Sequence, residues 1–325
     1  LVKCSFCDKP AVYVNRVNNT AYCRTHFIEY FEKKVKKTIR KYRMLGKNEH
    51  IVVAVSGGKD SLSLLYFLWK LSRRNPGWRV SALLIDEGIK GYREYTIMKF
   101  MKANEKLGVP YRIASFKEYI GMTLDEIVEE GRRRGLPYLP CAYCGVFRRY
   151  LLNKVAREMG GTVLATAHNM DDMVQTYLMN LAKDTLERLA RLAPVTGVAS
   201  HEKFVKRIKP FIEVSEKETS IYALLNGLIQ PEYYKCPYAE FNIRFKIRRM
   251  INELEEAQPG TKNGLLNSML ETVRLLAGSR KVEEEIKTCR ICGEPSSHDV
   301  CRACQFRIEL GLLEKPVFRL EWRLE

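Results

Sequence analysis

Two rhythms of hydrophobic and polar positions alternate along this chain of 325 residues. Ile51-Val52-Val53-Ala54-Val55 is short, β-branched and continuously apolar, the pattern of a strand buried on both faces. Val80 to Ile85, Tyr111 to Ala114 and Thr162 to Ala167 also read as strands. Between them, helical spacing takes over at 60–74, 92–107, 123–134, 145–159 and 170–183. Strand alternating with helix predicts an α/β fold, a parallel sheet with helices on both faces. Ligands of such sheets bind beyond the carboxyl ends of the strands. Upstream, Phe27, Tyr30, Phe31, Val35, Ile39 and Tyr42 predict a helix over 27–45, with Gly46 as its stop. Past residue 215 the pattern is mainly helical (Val214–Leu225, Arg244–Glu256, Leu265–Leu276), broken at Pro259-Gly260. The chain thus divides into an N-terminal module (1–30), a linking helix (31–46), a central α/β domain (47–214), a helical subdomain (215–285) and a closing module (286–325).

Charge narrows the class of partner. The chain carries 55 Lys+Arg against 38 Asp+Glu, a formal net charge of +17, which suits a polyanion. The predicted 27–45 helix concentrates it in Lys33, Lys34, Lys36, Lys37, Arg40, Lys41 and Arg43. That face serves equally as a solvated surface or as a contact for RNA. No apolar run reaches the roughly 18 residues of a membrane span. Leu1-Val2-Lys3-Cys4 lacks the apolar core of a secretory signal, so the expected location is the cytoplasm.

In a reducing compartment ten cysteines point to metal or sulfur chemistry rather than disulfides. They fall into three groups. Cys4-x2-Cys7-x15-Cys23-x2-His26 and Cys289-x2-Cys292-x8-Cys301-x2-Cys304 match tetrahedral structural zinc. Each ion would organise a module too short to fold on its own core. These modules either grip RNA or clamp the chain ends. The third group is Cys141, Cys144 and the distant Cys236. Three thiolates suit an iron–sulfur cluster with one open iron, or a persulfide relay, and the residues alone leave the two level.

Ser56-Gly57-Gly58-Lys59-Asp60-Ser61 follows a buried strand and opens a helix. Glycines admit the backbone close to an anion, the helix N-terminus offers free amides, and Lys59 adds charge: a pyrophosphate cradle. It is not a Walker loop, since Asp60 follows Lys59 and Val53 stands where the first glycine would be. Ala54 to Ser61 resembles the signature of the PP-loop ATP pyrophosphatase superfamily. Those enzymes split ATP between the α and β phosphates and transfer AMP to a carbonyl-type oxygen.

The resemblance sharpens further along the chain. Cys141-x-x-Cys144-Gly145-Val146-Phe147-Arg148-Arg149, Ala167-His168-Asn169-Met170-Asp171-Asp172 and Cys236-Pro237-Tyr238 resemble the motifs of the cytoplasmic tRNA 2-thiolation enzymes (TtcA/TtuA-like). Asp86-Glu87-Gly88-Ile89-Lys90-Gly91-Tyr92-Arg93 is similar to the branch that thiolates the wobble uridine, position 34. A sister branch acts at position 54 of the thymine loop. The resemblance implies ATP, Mg²⁺, two Zn²⁺ and a 4Fe-4S cluster on Cys141, Cys144 and Cys236. It implies that ATP meets Ser56, Gly57, Gly58, Lys59, Asp60, Ser61 and Arg148, with the adenine near Ala54, Ile85 and Ala167. It implies tRNA, not DNA, as substrate, and a ubiquitin-like sulfur carrier or sulfide as donor. Assembly as a homodimer or with a related subunit stays open, as does a zinc-stabilised RNA- or carrier-binding subunit without catalysis. The uridine C2 oxygen would be adenylated and then replaced by sulfur. Asp172 is favoured as the catalytic carboxylate, with helix capping as the rival role for it or Asp171. Where the position-54 branch carries lysine this chain has Arg148, which keeps the charge but does not serve readily as a base. Asp60 either binds Mg²⁺ or begins its helix; Asp86 and Glu87 either meet ligand or form surface charge; His50, His201 and His298 read as incidental.

Overall fold

The computed structural model describes residues 2–183, 185, 189, 192–197, 201–228, 234–241, 243–279 and 286–314. Strands β1 (Tyr13–Asn15) and β2 (Thr20–Tyr22) form a hairpin that leads into α1 (Arg24–Lys41). The central run is β3 (Glu49–Val55), α2 (Lys59–Ser72), β4 (Trp78–Asp86), α3 (Arg93–Glu105) and β5 (Tyr111–Ser115). It continues through α4 (Phe116–Ile120), α5 (Leu124–Arg133), α6 (Pro140–Glu158), β6 (Val163–Ala165) and α7 (Met170–Leu181). Strands β7 (Val195–Thr196) and β8 (Lys206–Ile208) precede α8 (Glu216–Leu225), α9 (Arg244–Ala257) and α10 (Thr261–Ser279). A second hairpin, β9 (Lys287–Thr288) with β10 (Pro295–Ser296), and α11 (Arg302–Glu309) follow.

The sheet runs in the order β5-β4-β3-β6-β8-β7. All its strands are parallel except β7, which lies antiparallel on β8. Strand β3 pairs in register with β4 on one side and β6 on the other. The chain builds outward through β4 and β5, then returns to place β6 beyond β3. The gap between the ends of β3 and β6 is therefore the topological switch point, where a crevice opens.

Period-two alternation explains the two cores. Ile51, Val53 and Val55 of β3, Ala82 and Leu84 of β4, and Val163 and Ala165 of β6 pack on one face with Phe31, Leu65 and Tyr222. Val52, Leu83, Ile85 and Leu164 pack on the other with Phe116, Ile127, Phe147 and Leu151. No described helix is long and apolar enough to cross a membrane.

The structure corrects several expectations. The first helix starts earlier and stops sooner than 27–45, and Gly46 does not end it. Arg43 takes the left-handed conformation (φ 48°) while Met44 N–H donates to Ile39 O at 3.0 Å and Arg43 N–H to Arg40 O at 3.1 Å. This is a Schellman closure sealed by buried Met44. The predicted 145–159 helix begins at Pro140, so Cys141 and Cys144 sit in its first turn rather than in a loop before it. Proline at N1 preorganises that start. The sheet is also wider than predicted, because β7 and β8 lie in a stretch with no apolar run.

Candidate functional site

Gly57 has φ +76°, and a Cβ there would stand 2.8 Å from the Thr96 carbonyl carbon. The turn after β3 therefore needs glycine at that position. Ser61 Oγ ties the turn together, accepting from Ser56 N–H at 3.0 Å and donating to Gly58 O at 2.9 Å. Gly58 caps α2 without a side-chain bond, leaving the amides of the first turn for a ligand. Lys59 Nζ is held by Asp60 at 2.7 Å and Glu216 at 3.2 Å. Asp60 in turn accepts from Thr219 and, at 3.4 Å, from Asn169 Nδ2. The loops after β3 and β6 thus meet across the switch point. Ala54, Ile85 and Ala167 lie at or just beyond the carboxyl ends of β3, β4 and β6.

Asn169 caps α7 and forms a capping box with Asp172. Asp172 is thus a capping residue as well as the half-buried carboxylate facing Arg244 at 3.9 Å. Burial, then Asp60, raises its pKa to about 6. Asp171 is buried and engaged by Lys262 and by Glu216 N–H at 2.7 Å. His168 accepts or donates at Thr166 Oγ1, 3.0 Å away. Desolvation, then Lys209 and Arg207, drops its pKa to about 3, so it is neutral at physiological pH. Lys209 itself, desolvated beside Arg207 and donating to Ala193 O, falls to about 7.

Cys141 and Cys144 stand at i and i+3 in the first turn of α6, where helix amides and dipole favour thiolates. The segment from Pro237 to Phe241, a single 3-10 turn, brings Cys236 to them. Cys141 Sγ reaches Tyr238 O at 3.8 Å, and Tyr238 OH donates to Asp125 at 2.7 Å. Burial raises all three thiols; Arg148 counters it at Cys144 and Cys236. Three convergent sulfurs beside arginine are a donor set that fits an iron–sulfur cluster. Cys236 also lines the same cavity, about 1050 Å³, as Ser56 to Asp60. Tyr13 to Val17 of the N-terminal hairpin form another of its walls.

The two terminal quartets differ in kind from the trio. Among the described residues, only they bring all ligand atoms within 4.8 Å of one another. His26 Nδ1 lies 3.4 Å from Cys4 Sγ, 3.6 Å from Cys7 Sγ and 3.4 Å from Cys23 Sγ. Cys292 and Cys301 sulfurs are 3.6 Å apart. Thiolates at the corners of a zinc tetrahedron are about 3.8 Å apart, from Zn–S near 2.3 Å. Both sets therefore fit a single metal ion.

Four charged participants carry no signal in local periodicity, and Glu87, which the motif left as a ligand contact or surface charge, is buried. Glu87 and Arg93 form a buried ion pair (1% and 4% exposed), and Arg148 Nε meets the other Glu87 oxygen at 3.1 Å. The signal available was an acid at a strand end followed six residues later by an arginine. Lys209 and Arg207, charged residues flanking Ile208 at the end of β8, had no motif to betray them.

A PP-loop domain family model matches residues 27–230, and the model of the N-terminal LIM domain of the 2-thiouridine synthetase TtuA matches residues 3–28. The chain is 39% identical over 307 residues to the tRNA-5-methyluridine(54) 2-sulfurtransferase of Pyrococcus horikoshii, covering 94% of this chain and 93% of that one. It is 35% identical over 306 residues to the cytoplasmic tRNA 2-thiolation protein 1 of Chlamydomonas reinhardtii, covering 93% and 83%. It superimposes on the U34-tRNA thiolase NcsA of Methanococcus maripaludis, solved with its 4Fe-4S cluster, with a TM-score of 0.81. That match has 35% identity and covers 98% of this chain and 99% of the other. With the cradle, the trio and both quartets in place, the chain belongs to the PP-loop family of tRNA 2-thiolation sulfurtransferases.

Proposed function

We propose that this protein thiolates C2 of the wobble uridine, position 34, of tRNA in the cytoplasm. One observation carries the reading: the glycine turn and Cys236 line a single cavity, so activation and sulfur delivery share a chamber. ATP lies with its pyrophosphate on Ser56 to Ser61 and with Mg²⁺ held through Asp60. Its adenine sits against Ala54, Ile85 and Ala167. Lys59 leaves its two carboxylates for the phosphates. The uridine C2 oxygen attacks the α-phosphorus, pyrophosphate departs, and the N3 proton passes to Asp172. Arg148 stabilises charge on the adenylate and takes no proton. A 4Fe-4S cluster on Cys141, Cys144 and Cys236, when bound, supplies sulfur as the nucleophile that replaces AMP. A ubiquitin-like carrier or sulfide replenishes it. One zinc ion each on Cys4, Cys7, Cys23, His26 and on Cys289, Cys292, Cys301, Cys304 sets the terminal modules. The first of these modules walls the cavity, which favours an RNA-gripping role over a mere clamp.

The similarity of Asp86-Glu87-Gly88 to the wobble-uridine branch, with the match to a U34-tRNA thiolase, supports position 34. The Pyrococcus relative, named for position 54, supports the second reading, the same chemistry in the thymine loop. Anaerobic turnover with tRNA, ATP and sulfide, followed by nuclease mapping of the thiolated nucleotide, decides. Label at 34 supports the first reading, label at 54 the second. Failure to thiolate either position with ATP and sulfide supplied would defeat both.

A further inference from the structure

Glu87 stands just past the carboxyl end of β4, beside the turn that follows β3. It is almost fully buried, at 1% exposure, and so is Arg93, at 4%. The carboxylate is shared. One oxygen binds Arg93 Nη2, and the other meets Arg148 Nε at 3.1 Å. Arg93 uses its second nitrogen to donate to Ser56 O at 3.2 Å and to Thr96 Oγ1 at 3.0 Å. Thr96 is the residue whose backbone packs against Gly57. Arg148 stands one helical turn after Cys144 on α6, so the two share a face of that helix. The main chain is fixed as well: Leu124 N–H donates to Glu87 O at 2.7 Å, and Gly88 N–H to Asp86 Oδ1 at 2.8 Å.

A continuous chain of polar contacts therefore runs from the Ser56 carbonyl through Arg93 and Glu87 to Arg148, on the face of α6 that carries Cys144. A buried carboxylate is costly unless fully paired, and among the described residues its partners are Arg93, which reaches the nucleotide turn, and Arg148, which shares a helix face with Cys144. Arg148 is half-exposed and would otherwise be drawn to solvent. We infer that Glu87 is a positioning residue that holds the Arg148 guanidinium at Cys144 and, through Arg93, keeps it in fixed relation to the nucleotide turn. The inference rests on the thiolase reading and deepens it. It makes Glu87 the element that couples AMP formation to sulfur delivery.

Glu87→Gln keeps the shape and removes the charge. A single turnover with tRNA, ATP and sulfide is scored as thiolated nucleoside per pyrophosphate released, because pyrophosphate leaves at adenylation and AMP only when sulfur displaces it. ATP affinity is measured by calorimetry on the protein with its terminal metal sites filled. The expected result is ATP affinity and pyrophosphate release within about threefold of wild type, while thiolation per pyrophosphate falls about a hundredfold, the loss typical of one misplaced stabilising donor. The Glu87→Gln/Arg148→Ala double variant should be no worse than Arg148→Ala, because a residue acting through another adds nothing once that one is gone. A wild-type ratio in Glu87→Gln overturns the inference. So do additive losses, or pyrophosphate release falling in step with thiolation. If Glu87→Gln does not fold, Arg148→Lys replaces it: lysine keeps the charge without the fork, and wild-type coupling there overturns the inference equally. A wild-type protein that makes no thiolated nucleoside refutes the thiolase reading instead. The Glu87–Arg148 link is then read from the coupling of their single and double variants in thermal unfolding of the protein with its terminal metal sites filled, where zero coupling overturns it.

Discussion

Gly57→Ala tests the nucleotide turn most directly. Alanine at φ +76° pays the left-handed penalty, about 1–2 kcal/mol. Its Cβ would lie 2.8 Å from the Thr96 carbonyl carbon and 3.0 Å from its Cα, closer still to the oxygen, and these are backbone atoms of α3 that have nowhere to go. The turn must shift instead. A displacement of about 1 Å in a positioning element costs on the order of a hundredfold in rate. The expected outcome is thus a modest stability loss of about 1–3 kcal/mol with a far larger loss of tRNA-dependent pyrophosphate release. Gly58→Ala is the internal control. Its φ is −83°, and the new Cβ meets only the Ser56 hydroxyl, a side-chain atom, at 3.3 Å. It should lose less than about tenfold, since a flexible side chain can move aside. Urea unfolding and a pyrophosphate-release assay, run on both variants, check the pair. Equal damage from the two substitutions, or a Gly57→Ala enzyme with normal release, would refute the steric reasoning.

Other outcomes follow from the same geometry. Cys236→Ser should abolish thiolation and lower iron content while ATP affinity, measured by calorimetry, stays unchanged; full sulfur transfer by this variant would remove the trio from the chemistry. Because the Asp172 pKa is raised to about 6, its base form is lost as pH falls through that value. The kcat/KM for AMP formation should then fall about tenfold per pH unit below it, and Asp172→Asn, which retains an acceptor for the cap, should lose that limb of the profile with little change in stability. Cys23→Ser should cost the protein one bound metal ion by elemental analysis. It should also loosen the hairpin at Tyr13 to Val17, seen as faster limited proteolysis and a raised KM for tRNA; an unchanged metal content would show that the N-terminal quartet holds no ion.

Much of this protein was legible in its sequence because the relevant signals are local. A continuous β-branched run announced β3, since a strand covered on both faces leaves little room for polar positions, and shorter apolar stretches announced β4, β5 and β6. The glycine turn showed itself because phosphate-binding backbone needs small residues at a strand–helix junction. The two quartets showed themselves because each ligand pair of a tetrahedral ion comes from a tight turn. Short or charged elements were hidden: α4 is too brief for a period to emerge, and β8 carries Lys206 and Arg207 at two of its positions. The end of α1 was misplaced because closure by Arg43 in a left-handed conformation depends on Met44 finding the core, which a stop signal such as Gly46 does not encode. The resemblance to thiolation enzymes suggested that Cys236 joins Cys141 and Cys144, but only the folded chain brings Cys236 onto one cavity with the nucleotide turn. Likewise the Glu87 carboxylate became an ion-pair hub only when β4, α3 and α6 converged on it. Local sequence sets what each segment prefers to be; which side chains meet across segments is decided by the packing of sheet and helices, where contacts distant along the chain find their partners.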